Sequence, residues 1–285
     1  MKSQYTLWLI LLLLSCKKDL SDYNINNLNN NDIMIFGHAG MGSMYKHPSD
    51  TYESVIPVLE IGADGCEIDV QMTKDSILVM FHDDDMKLTT TCEGNIYDYY
   101  WSELGGCKFH ALAHNIYVIT VDNLFSRISE LTKYHFSFDC KLNKNVPYEE
   151  LSAYYKKFLR AIQRLCEKYN MTDNVFIEGN INYLKYASEV GLQNKLFISG
   201  TGNMDESIRN AKEINSFGIG ISNYVTTADD INRAHAEGFW VMMWGGKTRA
   251  ENKELISKSP DIIQTDKPIP LLKMFDRFNS SYRIP

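Results

Sequence analysis

The sequence predicts an α/β fold, a (β/α)8 TIM barrel with a β-hairpin extension after its second strand. Three observations carry that expectation. Eight apolar strand-like runs recur, helical patterns separate them, and roughly 250 residues pass without a second low-complexity break, a length that suits one large barrel domain. The runs are Ile33 to Gly37, Gly65 to Val70, His135 to Asp139, Val175 to Glu178, Leu196 to Ser199, Gly218 to Ile221, Phe239 to Trp244 and Ile262 to Thr265. Helical periodicity lies between them, for example over Thr51 to Ile61, Asp122 to Lys133, Pro147 to Tyr169 and Asp229 to Glu237. Barrels of this kind place their chemistry at the C-terminal strand ends, where His38, Asp69, Asp139, Glu178 and Trp244 fall.

One further run, Ile77 to Phe81, breaks the alternation. Only Thr73-Lys74-Asp75-Ser76 separates it from the second strand, too short a link to reach a parallel neighbour, so the two runs form an antiparallel hairpin. With Lys74 and Asp75 as a two-residue tip, Glu67 faces His82, and Asp69 shares their side of the sheet because it lies two residues along.

The ends of the chain carry different information. Lys2 followed by the apolar run Leu7 to Leu14 reads as an export signal, too short to span a bilayer. Leu13-Leu14-Ser15-Cys16 resembles a bacterial lipobox, which makes residues 1–15 a lipoprotein signal peptide and Cys16 the lipidated first residue. A short membrane anchor and an ordinary signal peptide are the alternatives. Residues 16–32 are asparagine-rich and too polar to bury apolar surface, so a disordered tether is expected there, with the barrel domain over 33–285. The expected location is therefore outside the cytoplasm, anchored to the membrane and facing the periplasm or the cell surface.

A formal net charge of -7 argues against a nucleic-acid binder, which needs a basic surface. Apart from Cys16, five cysteines remain, an odd number that cannot form a complete disulfide framework, and none has CxxC zinc spacing. Strand alternation turns Cys66 and Cys140 away from the carboxylates beside them, as packing thiols. Cys92 and Cys107 lie in one loop-rich stretch and could pair.

Glu67-x-Asp69 in a strand puts two oxygen donors on one face, and Asp139 on the next barrel strand can add a third. All-carboxylate coordination suits one divalent cation, Mg²⁺ or Ca²⁺, rather than zinc. The plainer alternative is a pair of acids on a solvated strand face, but unpaired carboxylates are costly in a run as apolar as Gly-Cys-Glu-Ile-Asp-Val. Lys141, two residues after Asp139, belongs on the same face, either as a phosphate-facing cation or as an ordinary salt-bridge partner. His38 and His82 are suited to base and acid because the unperturbed imidazole titrates near neutrality. His47, His110, His114, His135 and His235 have no comparable setting and read as surface or packing groups. Gly245-Gly246-Lys247-Thr248 looks like the end of a nucleotide-binding P-loop, but Val241 stands where the first glycine is required.

On these residues the chain resembles the glycerophosphodiester phosphodiesterases, a (β/α)8 family among the phosphatidylinositol-phospholipase-C-like phosphodiesterases. The likeness is strongest from Gly37 to Thr91, through Gly62-Ala63-Asp64-Gly65-Cys66-Glu67-Ile68-Asp69-Val70 and Val79-Met80-Phe81-His82-Asp83. It continues through Asp139-x-Lys141, Trp244 and Ile262 to Pro268. The resemblance implies that His38 and His82 are the catalytic pair and that Glu67, Asp69 and Asp139 bind the metal. It implies further that Lys141 contacts phosphate and that Trp244 walls the substrate's alcohol part. Glu178 joins Lys141 and Trp244 as a substrate-side residue by its place at a strand end. The implied activity is metal-dependent hydrolysis of a glycerophosphodiester to an alcohol and glycerol phosphate.

The sequence departs from the family pattern in three places. Ala39 replaces the arginine of the family's His-Arg-Gly, removing a bidentate phosphate donor. Ser49 and Asp50 replace Glu and Asn at the first helix start, so a helper near the metal is expected to be missing. Asp139 replaces the more usual glutamate. A missing arginine and an Asp-x-Lys pair also resemble the related phospholipase-D-like toxins. That likeness keeps open cyclising cleavage of a lipid or head-group phosphodiester, and Ala39, read as lost catalysis, keeps open a non-catalytic binding lipoprotein.

Overall fold

A computed structural model describes Tyr23, residues 25–110 and residues 115–284. The signal peptide, Cys16 and His114 lie outside the described residues. Eight parallel strands close a barrel: β1 (Met34–Gly37), β2 (Gly65–Met72), β4 (His135–Cys140), β5 (Val175–Gly179), β6 (Lys195–Ser199), β7 (Gly218–Ser222), β8 (Trp240–Gly246) and β9 (Ile262–Thr265), with β3 (Leu78–Met80) hydrogen-bonded to the outside of β2. Closure is made by β1, which pairs with both β9 and β2. Each of the eight apolar runs is therefore a barrel strand.

The interior and exterior of the barrel divide by strand alternation. Phe36, Phe176, Phe197, Met242 and Ile262 pack as one buried cluster inside the barrel. A larger cluster lies between strands and helices, and it contains Cys66, Cys140 and Cys166, all buried free thiols. The helix over Leu151–Tyr169 buries Tyr154, Phe158, Ile162 and Leu165, the i, i+4 stripe that its sequence sets out. The expected helix over Asp122 to Lys133 is shorter: it runs from Val121 to Phe125, capped by Thr120, and a separate 3₁₀ turn follows at Leu131–Lys133. Glu130, with a positive φ of 55°, breaks the path between them.

The hairpin is antiparallel, but its register differs from the expected one by a residue. Val70 pairs with Met80, Gln71 with Val79 and Met72 with Leu78. The turn holds three residues, Lys74 to Ser76, because Thr73 N–H donates to the Ile77 carbonyl and Ser76 adopts φ 68°. A one-residue slip inverts which side chains share a face. Glu67 therefore does not face His82 across a ladder, and the last backbone bond is Phe81 N–H to the Asp69 carbonyl. His82 lies just beyond this ladder.

Between β3 and β4 an insertion forms a small core of its own, with Phe81, Met86, Ile96, Leu104, Phe109 and Val118 among its buried residues. Cys92 and Cys107 are disulfide-bonded within it. Replacing both with serine is expected to cost about 3 kcal/mol, the stabilisation typical of a loop of ~15 residues. Protease sensitivity confined to this insertion would report the loss, and unchanged resistance would contradict it.

The asparagine-rich segment, expected as a tether, is bonded to the barrel from Asn26 onward. Asn26 N–H donates to Ser259 Oγ, while Asn27 and Asn29 side chains both donate to Asp261 Oδ1 at 3.1 and 3.0 Å. Asp261 immediately precedes β9, so these bonds close the N-terminal end of the barrel. Amide groups can dock by hydrogen bonding where there is no apolar surface to bury, which a composition argument overlooks.

Candidate active site

The C-terminal rim brings Glu67, Asp69 and Asp139 together, with one carboxylate oxygen from each within 4.8 Å of the others. Glu67 and Asp69 alternate along β2, and Asp69 pairs in register with Asp139 on β4. Asp139 in turn pairs with Glu178 on β5. Parallel register thus delivers the acids side by side, which is how residues seventy apart in sequence become neighbours.

The turn after β1 supports this group. Gly40 has φ 100°, and a Cβ there would lie 2.3 Å from Ser54 Oγ, so only glycine fits the bend. Ala39 takes φ 49°, a left-handed conformation rare outside glycine and asparagine, and its N–H donates to Glu67 Oε2 at 2.7 Å. The arginine side chain is absent, but the backbone donor at this position holds a carboxylate of the cluster.

His38 is oriented by a residue that sequence reasoning did not single out. Its Nδ1 lies 2.7 Å from Asp266 Oδ1, leaving Nε2 3.9 Å from Glu67 Oε2. Partial burial works against the imidazolium, but the hydrogen bond and charge of Asp266, with Asp69 and Asp50 behind it, raise the His38 pKa overall. Asp266 is buried, which opposes its ionisation, yet its bond to His38 holds its carboxyl below the ordinary value. The available signal was its position: Asp266 is the first residue after β9, on the same rim as His38. His82 is held in the same manner, with Nδ1 2.9 Å from Asp83 Oδ1, and its side chain is 64% exposed.

Asp50 corrects the expectation of a missing helper. It is buried, and its Oδ1 accepts the Asp69 N–H at 2.9 Å. Burial first, then the charges of Asp69 and Glu67, push its carboxyl well above the usual range. The Glu67 carboxyl is pushed well above it too, by burial and by the neighbouring charges of Asp69, Asp139 and Glu178. Lys141 is the cation facing this group, with Nζ 3.0 Å from Asp69 Oδ1 and 2.6 Å from Asp139 Oδ2. Desolvation disfavours its charge, but the two carboxylates more than compensate and its pKa rises.

Three carboxylates crowded on one rim, with burial and neighbouring charge raising the Glu67 carboxyl, form an oxygen-donor set that a hard divalent cation would relieve, and Glu67, Asp69 and Asp139 fit one. The donor chemistry points away from zinc.

Glu178 lies at the floor of the rim, accepting from Ser137 Oγ at 2.5 Å and Gln264 Nε2 at 2.6 Å. Burial, with the Asp139 charge added, pushes its carboxyl up to about 7. The folded state therefore binds this proton across a range where the unfolded chain releases it. Its contribution is fully present below the ordinary carboxylate pKa and is lost as pH rises through about 7. Metal-free protein should accordingly resist urea better at pH 5 than at pH 8, and Glu178→Gln should reduce that difference. An unchanged pH slope in the variant would rule out this source.

Trp244, at the end of β8, is 39% exposed and lines the rim cavity with Lys141 and Glu178. Of the other histidines, His235 is buried against Asp261, 2.9 Å away, and His47 packs edge-on to Tyr45. His110 lines a second cavity beside the rim, a position that its sequence setting did not indicate. Gly245 to Thr248 belongs to the end of β8 and the next helix, where Thr248 caps Glu251.

Fold and rim define a (β/α)8 barrel with a carboxylate cluster able to hold a cation, flanked by two carboxylate-backed histidines. A model of the glycerophosphoryl diester phosphodiesterase family matches residues 38–269, and the chain belongs to that family. It is 30% identical over 145 residues to a glycerophosphodiester phosphodiesterase of Bacillus altitudinis, a match covering 50% of this chain and 56% of that protein. This chain thus spans little more than half the length of that relative. A second, from Caldanaerobacter subterraneus subsp. tengcongensis, is 22% identical over 241 residues, covering 83% of this chain and 96% of the relative. The fold also matches an Oleispira antarctica phosphodiesterase solved in complex with the product sn-glycerol-3-phosphate, with a TM-score of 0.74 at 18% identity, over 88% of this chain and 100% of that one.

Proposed function

We propose that this protein is a phosphoric diester hydrolase that cleaves glycerophosphodiesters to an alcohol and glycerol phosphate, using Mg²⁺ or Ca²⁺. The observation that carries the reading is the meeting of Glu67, Asp69 and Asp139 with His38, His82 and Lys141 on one rim. Family membership and the product bound to the Oleispira antarctica phosphodiesterase support it.

Glu67, Asp69 and Asp139 would hold the cation, which supplies Lewis-acid polarisation of the phosphoryl group and orientation of the nucleophile. Lys141 adds a fixed positive charge where phosphoryl oxygens become more negative. His38 keeps a proton on Nδ1 against Asp266, so Nε2 is the atom left to exchange a proton with substrate. His82 keeps its own Nδ1 proton against Asp83 and likewise works through Nε2. One of them accepts the proton of the attacking hydroxyl while the other donates to the departing alkoxide. Trp244 and Glu178 line the space for the glycerol side of the substrate.

Phosphorus NMR of the reaction with a glycerophosphodiester and Mg²⁺ or Ca²⁺ tests the reading. A glycerol phosphate resonance is expected. A persistent cyclic phosphate would favour attack by a substrate hydroxyl, the alternative that Ala39 favours by removing the family's arginine. Absence of turnover with either ion, in wild type as in His82→Ala, would leave a metal-binding lipoprotein without catalysis.

The localisation forms part of the same proposal: an exported lipoprotein, anchored through Cys16. The disulfide supports it, because such bonds persist in oxidising compartments. Among the described residues no helix is long and apolar enough to cross a membrane.

A further inference from the structure

Two cavities meet at the catalytic centre, and His38 and His82 form walls of both. One, of about 350 Å³, is polar, lined by Lys141, Glu178, Lys247 and Gln264 beneath Trp244. The other, of about 530 Å³, runs under the inserted segment and is walled by Ala39, Pro48, Phe81, Leu88 and Phe109. Its volume falls within the range of small-molecule sites, and most of its wall surface is apolar, although Asp50, Asp69, Asp83 and His110 also line it. The proposed hydrolysis draws on this cavity only where His38, Asp69, His82 and Asp83 border it, and its apolar walls have no part in that chemistry.

Three local features build the cavity. Ala39 contributes only a methyl group, where an arginine would project a long charged side chain. Phe81 and Phe109 pack against each other with ring centroids 6.0 Å apart, and the Cys92–Cys107 bond ties the segment carrying Leu88 to the one carrying Phe109. Leu88 stands at the mouth, 71% exposed, extending the apolar wall out to solvent.

Resting on the phosphodiesterase reading, we propose that this cavity is a subsite for an apolar ester arm, so that the substrate is a phosphodiester joining glycerol to a long-chain alkyl or acyl-bearing alcohol. A phosphodiester has two arms. With phosphorus between His38 and His82, the glycerol arm occupies the polar cavity and the other the apolar one. Hydrolysis adds the water oxygen to phosphorus, breaks the bond to the apolar alcohol's oxygen, and returns a proton to that oxygen. The apolar alcohol leaves and glycerol phosphate remains on the polar side.

The test is a series of glycerol-3-phospho-n-alkyl esters, ethyl, butyl and octyl, assayed with Mg²⁺ or Ca²⁺ below their micelle concentrations. Burial of each methylene predicts a rise in kcat/KM of about three- to fourfold until the cavity is filled. Leu88→Ser, at an exposed position, should blunt the rise, lowering the ratio of octyl to ethyl kcat/KM. A flat series in the wild type, or a preference seen only in micelles or vesicles, overturns the proposal, since the chain would then not be read by this cavity. If no ester is cut, the hydrolase reading fails separately, and calorimetry with non-hydrolysable alkyl phosphonates still decides the subsite. Octyl phosphonate should bind at least about 100-fold more tightly than the methyl compound, and equal affinities would overturn it.

Discussion

His82→Ala is expected to lower kcat/KM by about 10² to 10⁴-fold, the usual contribution of one positioned acid or base. Thermal stability should hardly change. The side chain is 64% exposed, and its one hydrogen bond, to Asp83, is at the surface. The separation matters because most other substitutions on this rim disturb buried charge and structure together. Asp83→Asn should reproduce part of the loss through imidazole orientation, with the pH profile of kcat/KM moved as well as its height. Full activity in His82→Ala would remove this residue from the chemistry and leave His38 and the carboxylates to account for it alone.

Glu67→Gln should have the second-largest effect, and its signature is opposite in the two metal states. Without metal, Asp50, Glu67 and Asp69 are buried together, with Lys141 bonded to Asp69 and Asp139. Neutralising Glu67 removes like-charge repulsion and desolvation cost, so the metal-free variant should melt above metal-free wild type. With Mg²⁺ or Ca²⁺ at 100 times its Kd, the wild type should gain about 2.7 kcal/mol. The variant should lose most of that gain, because a direct carboxylate ligand is worth more than the ~10 to 100-fold in affinity typical of an outer-shell partner. Thermal melts with and without the ion, across both proteins, read the result. Retention of the full metal-induced shift in Glu67→Gln would exclude Glu67 as a ligand.

The sequence was informative wherever period and position were enough. Gly65 to Val70 is apolar except at Glu67 and Asp69, and only a buried strand puts both acids on one face, which is what β2 does. The hairpin was legible from connection length alone. Its register was not, since Ser76 adopts a left-handed conformation that few serines take, and the turn gains a residue. Asp266 was legible as a strand-end carboxylate, but nothing near it in sequence connects it to His38, 228 positions earlier. Asp50 looked like the loss of a helper because residue type was compared position by position. Its function as an acceptor for the Asp69 N–H depends on a left-handed turn at φ 57° that composition does not reveal.

By itself the sequence determined the eight strands, the hairpin, the carboxylates and histidines available for chemistry, and the family. These follow from local periodicity and motif, which act over a few residues. Only the tertiary structure decided the pairing of His38 with Asp266, the hold of the Ala39 backbone on Glu67, the docking of Asn27 and Asn29 at the closed end, and the apolar cavity beside the phosphate position. The physical reason is barrel closure. β1 pairs with β9 as well as β2, and that long-range register converts residues from opposite ends of the chain into neighbours a hydrogen bond apart.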